Sequence, residues 1–267
     1  MSLLALDFMR RALLAAVLVG LTAPSIGVYL VQRRLALLGD GIGHVTLAGV
    51  AAGFLFGTAP IATALVAAVA AAVAIELLRS RGGASGDVAL AALFYGGIAT
   101  GVLLIGLAPR ASGVNLLSYL FGSVTTVSPG DLRLITGLAV VVLVVLTVAA
   151  RQLFAVTYDE DLARVAGLPV TALNLLVAVT AAFTVALAMR VVGVLLVSAL
   201  MVLPVAAAQQ VARSFRAAIV WSVGIGVTVA VAGLVAAFYL DVAPGATIVL
   251  SALVVFVAGV GVRRLRT

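Results

Sequence analysis

Leu37-Leu38-Gly39-Asp40-Gly41-Ile42-Gly43-His44-Val45-Thr46 opens an apolar run that lasts to Gly57, and it holds a carboxyl group together with the only histidine of the 267-residue chain. The run is about 20 residues long, the length an α-helix needs to cross the hydrocarbon of a bilayer. Similar runs fill the rest of the sequence. Hydrophobic residues make up 65% of it, charged residues 9%, and the mean hydropathy is +1.35. Most segments are apolar all round rather than along one stripe, so their solvent must be lipid. The expected fold class is all-α: a polytopic integral membrane protein with eight or nine transmembrane helices in one domain over residues 1–267.

Composition narrows the function classes. A net charge of +7 could suggest nucleic acid, but the basic residues fall in ones and twos between apolar runs, with no basic patch, so nucleic acid is not an expected partner. Cysteine is absent, which removes disulfides and thiolate ligands and leaves oxygen or imidazole for any metal. Lysine is absent too, so the chain cannot carry a G-x-x-x-x-G-K phosphate loop. If the protein uses ATP, another chain hydrolyses it.

Along the chain, spans are predicted over about 12–31, 37–57, 60–79, 88–107, 129–150, 170–188, 192–211, 217–239 and 245–262, the pair around Met189-Arg190 being the one that decides between eight and nine. Pro24, Gly27 and Pro204 sit inside apolar runs as kink or packing positions, and Gly49, Gly53 and Gly57 recur every fourth residue, a small-residue face for a neighbouring helix. Leu116 to Gly122 is too short to cross and reads as an interfacial or re-entrant helix. Ser128-Pro129-Gly130-Asp131 is an N-cap, a first-turn proline and a third-position acid. The polar stretch 151–168 should hold a helix over about 157–167, with Thr157 and Glu160 as a capping box, Glu160 paired to Arg164, and Gly167 ending it. Glu76 can pair with Arg79 one turn on.

Nine spans with the amino terminus outside place Arg33, Arg34, Arg79, Arg81, Arg151, Arg164, Arg213, Arg216, Arg263, Arg264 and Arg266 inside. Arg10, Arg11, Arg110, Arg133 and Arg190 fall outside. The positive-inside rule favours this orientation and puts the 157–167 helix in the cytoplasm.

Asp40 and His44 are one helical turn apart on one face, so a carboxylate oxygen and an imidazole nitrogen can grip one divalent cation. The plainer reading makes Asp40 a helix-end residue and His44 a hydrogen-bonded core histidine. Lipid weighs against it, because a carboxylate near the bilayer centre costs about 2.5–3.5 kcal/mol on insertion scales. Asp40 lies only about two turns after Arg33-Arg34, nearer the inner face than a midplane site should be, unless Gly39, Gly41 and Gly43 let the chain unwind and re-enter. Two alternatives use the same pair: an intramembrane enzyme with Asp40 and His44 as acid and base, although no H-E-x-x-H is present, and a transporter driven by an ion gradient.

Four ordered stretches resemble the permease of zinc/manganese/iron ABC importers over most of the chain. They are Arg33 to His44; Leu117-Ser118-Tyr119-Leu120-Phe121-Gly122; Val192-Gly193-Val194-Leu195-Leu196-Val197-Ser198-Ala199-Leu200 with Leu203-Pro204-Val205-Ala206-Ala207-Ala208; and the acidic run Tyr158 to Gly167. Gly41 and Gly43 depart from the family, which usually has alanine and serine there. The resemblance implies a type II-like permease in the cell membrane of a prokaryote, not itself an enzyme. It also implies a homodimer, two cytoplasmic ATPase subunits and an external solute-binding protein that delivers the metal ion. Tyr158, Asp159, Glu160, Asp161, Arg164 and Gly167 then belong to a coupling helix seated on the ATPase, its acids meeting basic residues there. Asp40 and His44 become a transient ion site, completed by water or by the second copy across the dimer axis. No cofactor is bound permanently; the metal is cargo, zinc as the first choice and manganese the second.

Overall fold

The computed structural model describes residues 6–80, 86–107, 118–123, 127–194 and 196–264. Arg81, Arg110, Arg266, Leu116, Leu117 and Leu195 lie outside the described residues. Among the described residues the helices with full bounds are α1 (Asp7–Gln32), α2 (Leu38–Phe56), α3 (Pro60–Ser80), α4 (Gly86–Leu107), α5 (Pro129–Val148), α6 (Ala150–Tyr158), α7 (Glu160–Val165), α8 (Val170–Ala188), α9 (Val197–Ala208), α10 (Phe215–Leu240) and α11 (Pro244–Arg264), and residues 118–121 are helical as well. Among the described residues eight helices are long and apolar enough to cross a membrane, and α6, α7 and α9 are not.

The choice between eight and nine spans resolves as eight continuous crossings and one broken one. The expected helix over 192–211 starts only at Val197 and has 12 residues. At about 1.5 Å per residue that is roughly 18 Å, too short for a hydrocarbon layer of about 30 Å. Residues 189–194 extend the crossing as turns. Contacts between helix ends fix the directions. Phe8 at the start of α1 meets Phe238 at the end of α10, with ring centroids 6.4 Å apart, and Tyr29 near the end of α1 meets Phe215 at the start of α10 at 5.4 Å. Arg263 of α11 donates to Gln210 just past α9 at 3.2 Å, so both of those helices end on the face where α1 ends. The termini therefore lie on opposite faces, as an odd number of crossings requires.

The unwound segment is possible because protein, not lipid, surrounds its backbone. Val194 N–H donates to Tyr119 C=O at 2.9 Å, and Ser123 N–H to Arg190 C=O at 3.3 Å. The stretch 118–123 is thus the partner that keeps these polar groups paired at membrane depth. Gly122 (φ 76°) and Gly193 (φ 89°) take left-handed conformations in the two paired segments. A Cβ on either would run into the backbone of the other segment. Side chains pin the same junction. Arg190 pairs with Asp131 at 3.5 Å, and its guanidinium carbon lies 4.6 Å from the centroid of the Tyr119 ring. Ser128 is the N-cap as expected, and Asp131 completes a capping box with it, through bonds of 3.0 and 3.1 Å.

Buried surface gathers on α1, α2 and α8, while α4, α5 and α11 turn most of theirs outward. α1 stays helical through Pro24 and Gly27. Pro204 is buried inside α9. The glycine face of α2 divides into two roles. A Cβ on Gly49 would come within 2.6 Å of Ala67 Cβ and 2.8 Å of Ala64 Cα, and one on Gly53 within 2.6 Å of Pro60 Cα, so both let α3 approach. Gly57 does not pack against a helix: it is the left-handed C-cap of α2 (φ 67°), with open space where its Cβ would be.

These two roles predict different costs. Gly49→Val should overpack the α2–α3 contact and destabilise by about 1–3 kcal/mol. Gly57→Ala meets only the left-handed backbone cost, about 1 kcal/mol. Thermal melts of the detergent-solubilised protein read by size exclusion should rank them in that order; equal shifts would refute the division.

Candidate functional site

Asp40 and His44 sit on a helix that stays helical. The expected unwinding at Gly39, Gly41 and Gly43 does not occur: α2 runs unbroken from Leu38, and these glycines serve close packing instead. A Cβ on Gly39 would lie 3.4 Å from Ser198 Cβ, one on Gly41 3.0 Å from Leu93 Cδ2, and one on Gly43 2.9 Å from Val194 C=O. The family's alanine and serine would press on α4 and on the unwound segment. Asp40 falls in the first turn of α2, where a carboxylate also suits the helix dipole.

Depth follows from the neighbour. Ser198, in the first turn of α9, donates its hydroxyl to Asp40 Oδ1 at 2.5 Å. From Ser198 to the inner end of α9 is about 15 Å by helix rise, near half the hydrocarbon thickness. Asp40 therefore lies level with the point where the broken crossing turns helical. Ser198 was not among the predicted site residues; its one signal was a buried hydroxyl in an otherwise apolar run.

Asp40 opens onto a cavity of about 380 Å³ between α2 and α4, lined by Leu37, Asp40, Leu90, Ala91, Phe94 and Tyr95. His44 is half-buried and packs edge-on against Phe94, with ring centroids 4.2 Å apart and planes at 72°. Its Nδ1 is buried and has no hydrogen-bond partner. Among the described residues no three His, Cys, Asp or Glu side chains gather closely enough to hold a metal. One protomer thus offers one carboxylate and one imidazole. A larger cavity of about 530 Å³ opens at the outer end between α1, α10 and residues 118–123, but Asp241 is its one acid and it has no imidazole, so its chemistry is poorer.

The inner-face helix differs from expectation. Residues 150–165 form two helices broken at Asp159 (φ −153°, ψ 107°). Thr157 does not cap: it lies inside α6 with a buried, unpartnered hydroxyl, and Asp159 caps α7 by accepting from Leu162 N–H at 2.9 Å. The extended backbone two residues later hands the capping role to the stronger acceptor. At the other end Gly167 (φ 81°) closes α7 as expected, with Gly167 N–H bonded to Arg164 C=O and Leu168 N–H to Ala163 C=O. Glu160 does pair with Arg164, at 3.5 Å, yet its side chain, 39% exposed, also has partners inside the protein. It binds Arg33 at 3.2 Å and accepts from Asn174 Nδ2 at 3.2 Å. Burial lowers the Arg33 guanidinium below its ordinary pKa, Arg79 lowers it further, and Glu160 and Glu76 oppose both. What α7 and its approach present outward is Asp159, Asp161 and Arg164 together with Tyr158 (80% exposed), Leu162 (63%) and Val165 (87%). That surface mixes apolar with charged side chains rather than presenting a row of acids.

Residues 5–263 match the model of the ABC 3 transport family. The chain is 33% identical to the manganese transport system membrane protein MntC of Halalkalibacterium halodurans, over 95% of this chain and 87% of that protein. It is 29% identical to the high-affinity zinc uptake system membrane protein ZnuB of Haemophilus influenzae, over 94% and 96%. Its fold matches a chain of PsaBC from Streptococcus pneumoniae, solved in complex with a Fab, with a TM-score of 0.86 at 31% identity, covering 96% of this chain and 92% of that one. With eight apolar crossings and a match over nearly its whole length, the chain belongs to the ABC 3 transport family, as a multi-pass permease subunit of metal-ion import in the cell membrane.

Proposed function

We propose that the protein carries a divalent transition-metal ion into the cytoplasm through a site that includes Asp40 and His44. The observation that carries this reading is their setting: a carboxylate that lines a cavity and, one helical turn on along the same face of α2, an imidazole with an unpartnered nitrogen packed against the cavity-lining Phe94. Carboxylate with imidazole suits zinc, manganese or ferrous iron, and affinity order does not choose among them. Zinc remains the first reading and manganese the second; relatives carry names for both. Two ligands per protomer hold an ion loosely, as transport requires, whereas a closed four-ligand zinc site would retain it. A second copy of the chain facing the first would double the set to two carboxylates and two imidazoles.

Energy comes from a partner in this reading, since the chain has no lysine for a phosphate loop. The α7 tip is the seat for a cytoplasmic ATPase subunit, through Tyr158, Leu162 and Val165 rather than through a row of acids. An external solute-binding protein delivers the ion on the opposite face.

Three outcomes test this. In liposomes holding permease and ATPase, Asp40→Ala and His44→Ala should each abolish ATP-dependent uptake with assembly intact, and metal competition should rank zinc and manganese; uptake at the native rate in both variants would sink the site. Ser198→Ala frees the Asp40 carboxylate and should weaken metal uptake by about tenfold, as loss of a ligand's supporting hydrogen bond does elsewhere. Leu162→Asp should cost the permease its co-purifying ATPase, and unchanged capture would place the seat elsewhere.

A further inference from the structure

Glu160 is the first residue of α7, and its carboxylate grips an arginine that belongs to the turn before α2. Arg33 has a side chain only 6% exposed, and its Nη2 lies 3.2 Å from Glu160 Oε2. The other carboxylate oxygen accepts from Asn174 Nδ2 of α8 at 3.2 Å. The pair is buried on its arginine side, while the Glu160 side chain is 39% exposed, and its second anchor on Asn174 defines its geometry more closely than a fully exposed ion pair.

The turn it holds has little slack. α1 ends with Leu35 N–H bonded to Leu30 C=O at 2.8 Å and Arg34 N–H to Val31 C=O at 3.1 Å, which forces Arg34 into the left-handed region at φ 59°. That conformation suits glycine and is unfavourable for arginine. Leu38 N–H then bonds back to Leu35 C=O at 3.0 Å, and Gly41 N–H to Leu37 C=O at 3.1 Å. Arg34, Leu35, Leu38 and Gly41 are thus each bonded back to a residue three to five positions earlier, a short bonded path from Arg33 to the first turn of α2.

We propose that the Arg33–Glu160 pair is a clasp through which movement of α7 repositions the start of α2, and with it Asp40. Glu160 is then a positioning residue inside the permease, not a contact to the ATPase. The clasp rests on the reading of α7 as the ATPase seat, and it specifies how a push there reaches the ion. Asn174 keeps Glu160 aimed at Arg33 while α7 moves, and Arg164 on the outer side balances its second oxygen at 3.5 Å.

The test uses the chain's lack of cysteine. A spin label on Leu37→Cys, attached before assembly with the ATPase, reports the start of α2 in the full complex. Nucleotide addition should change the label's spectrum in the otherwise native chain. In Arg33→Gln and Glu160→Gln that change should disappear, and metal moved per ATP should fall by about fivefold or more while hydrolysis stays near its native rate. Glu160→Asp keeps the charge but shortens the reach, so it should show the same loss even if Arg33→Gln fails to assemble. A label that never responds, or one that responds fully in Glu160→Gln and Glu160→Asp, overturns the clasp. Retention of the ATPase by Leu162→Asp overturns the seat instead, and it does so without reference to the label.

Discussion

An unpaired peptide group cannot be left in hydrocarbon, and the shape of this permease follows from how that rule is met in one place. Between Met189 and Val194 the α-helical ladder gives way to turns inside a layer where water is absent. Their partners come from residues 118–123, which bond to Arg190 C=O and Val194 N–H. From that pairing come the left-handed Gly122 and Gly193, the Arg190–Asp131 bridge with Tyr119 beneath it, and the delayed start of α9. The delayed start puts a helix N-terminus and the Ser198 hydroxyl at mid-depth, beside Asp40. The break is thus what builds the polar surroundings of the site.

Much of the fold was legible in residues whose local chemistry acts alone. Ser128 and Asp131 announce a capping box, Gly167 announces a left-handed helix end, Glu160 and Arg164 lie one turn apart, and the apolar runs fix eight crossings. Errors arose where two local signals competed or where a distant segment decided. Thr157 and Asp159 are both capping residues, and only the backbone turn at Asp159 selects between them. Gly57 continues a four-residue spacing, yet α2 has already ended there. Val191-Val192-Gly193-Val194 is as apolar as any helix in the chain, so no composition rule could reveal that it unwinds against residues some seventy positions earlier. Ser198 and the Arg33–Glu160 pair were hidden for the same reason: each partner lies more than a hundred residues away.

The remaining acids explain what sets Asp40 apart. Glu76 is buried and answered by Arg79 at 3.5 Å; Asp131 is buried and answered by Arg190; Glu160 is shared between Arg33 and Arg164. Asp7, Asp161 and Asp241 are exposed, and Asp159 is spent on a helix cap. Among the described residues the two buried acids, Glu76 and Asp131, each have a guanidinium beside them, whereas the half-buried Asp40 has a neutral hydroxyl. Placing an acid at that depth without a counter-charge is costly, and a serine does not offset it. The arrangement makes sense if the missing positive charge arrives from outside and leaves again. An arginine at position 198 would neutralise Asp40 permanently and close the site to a cation. A hydroxyl orients the oxygen and then yields, which is the property a carrier of divalent ions needs and a merely structural acid does not.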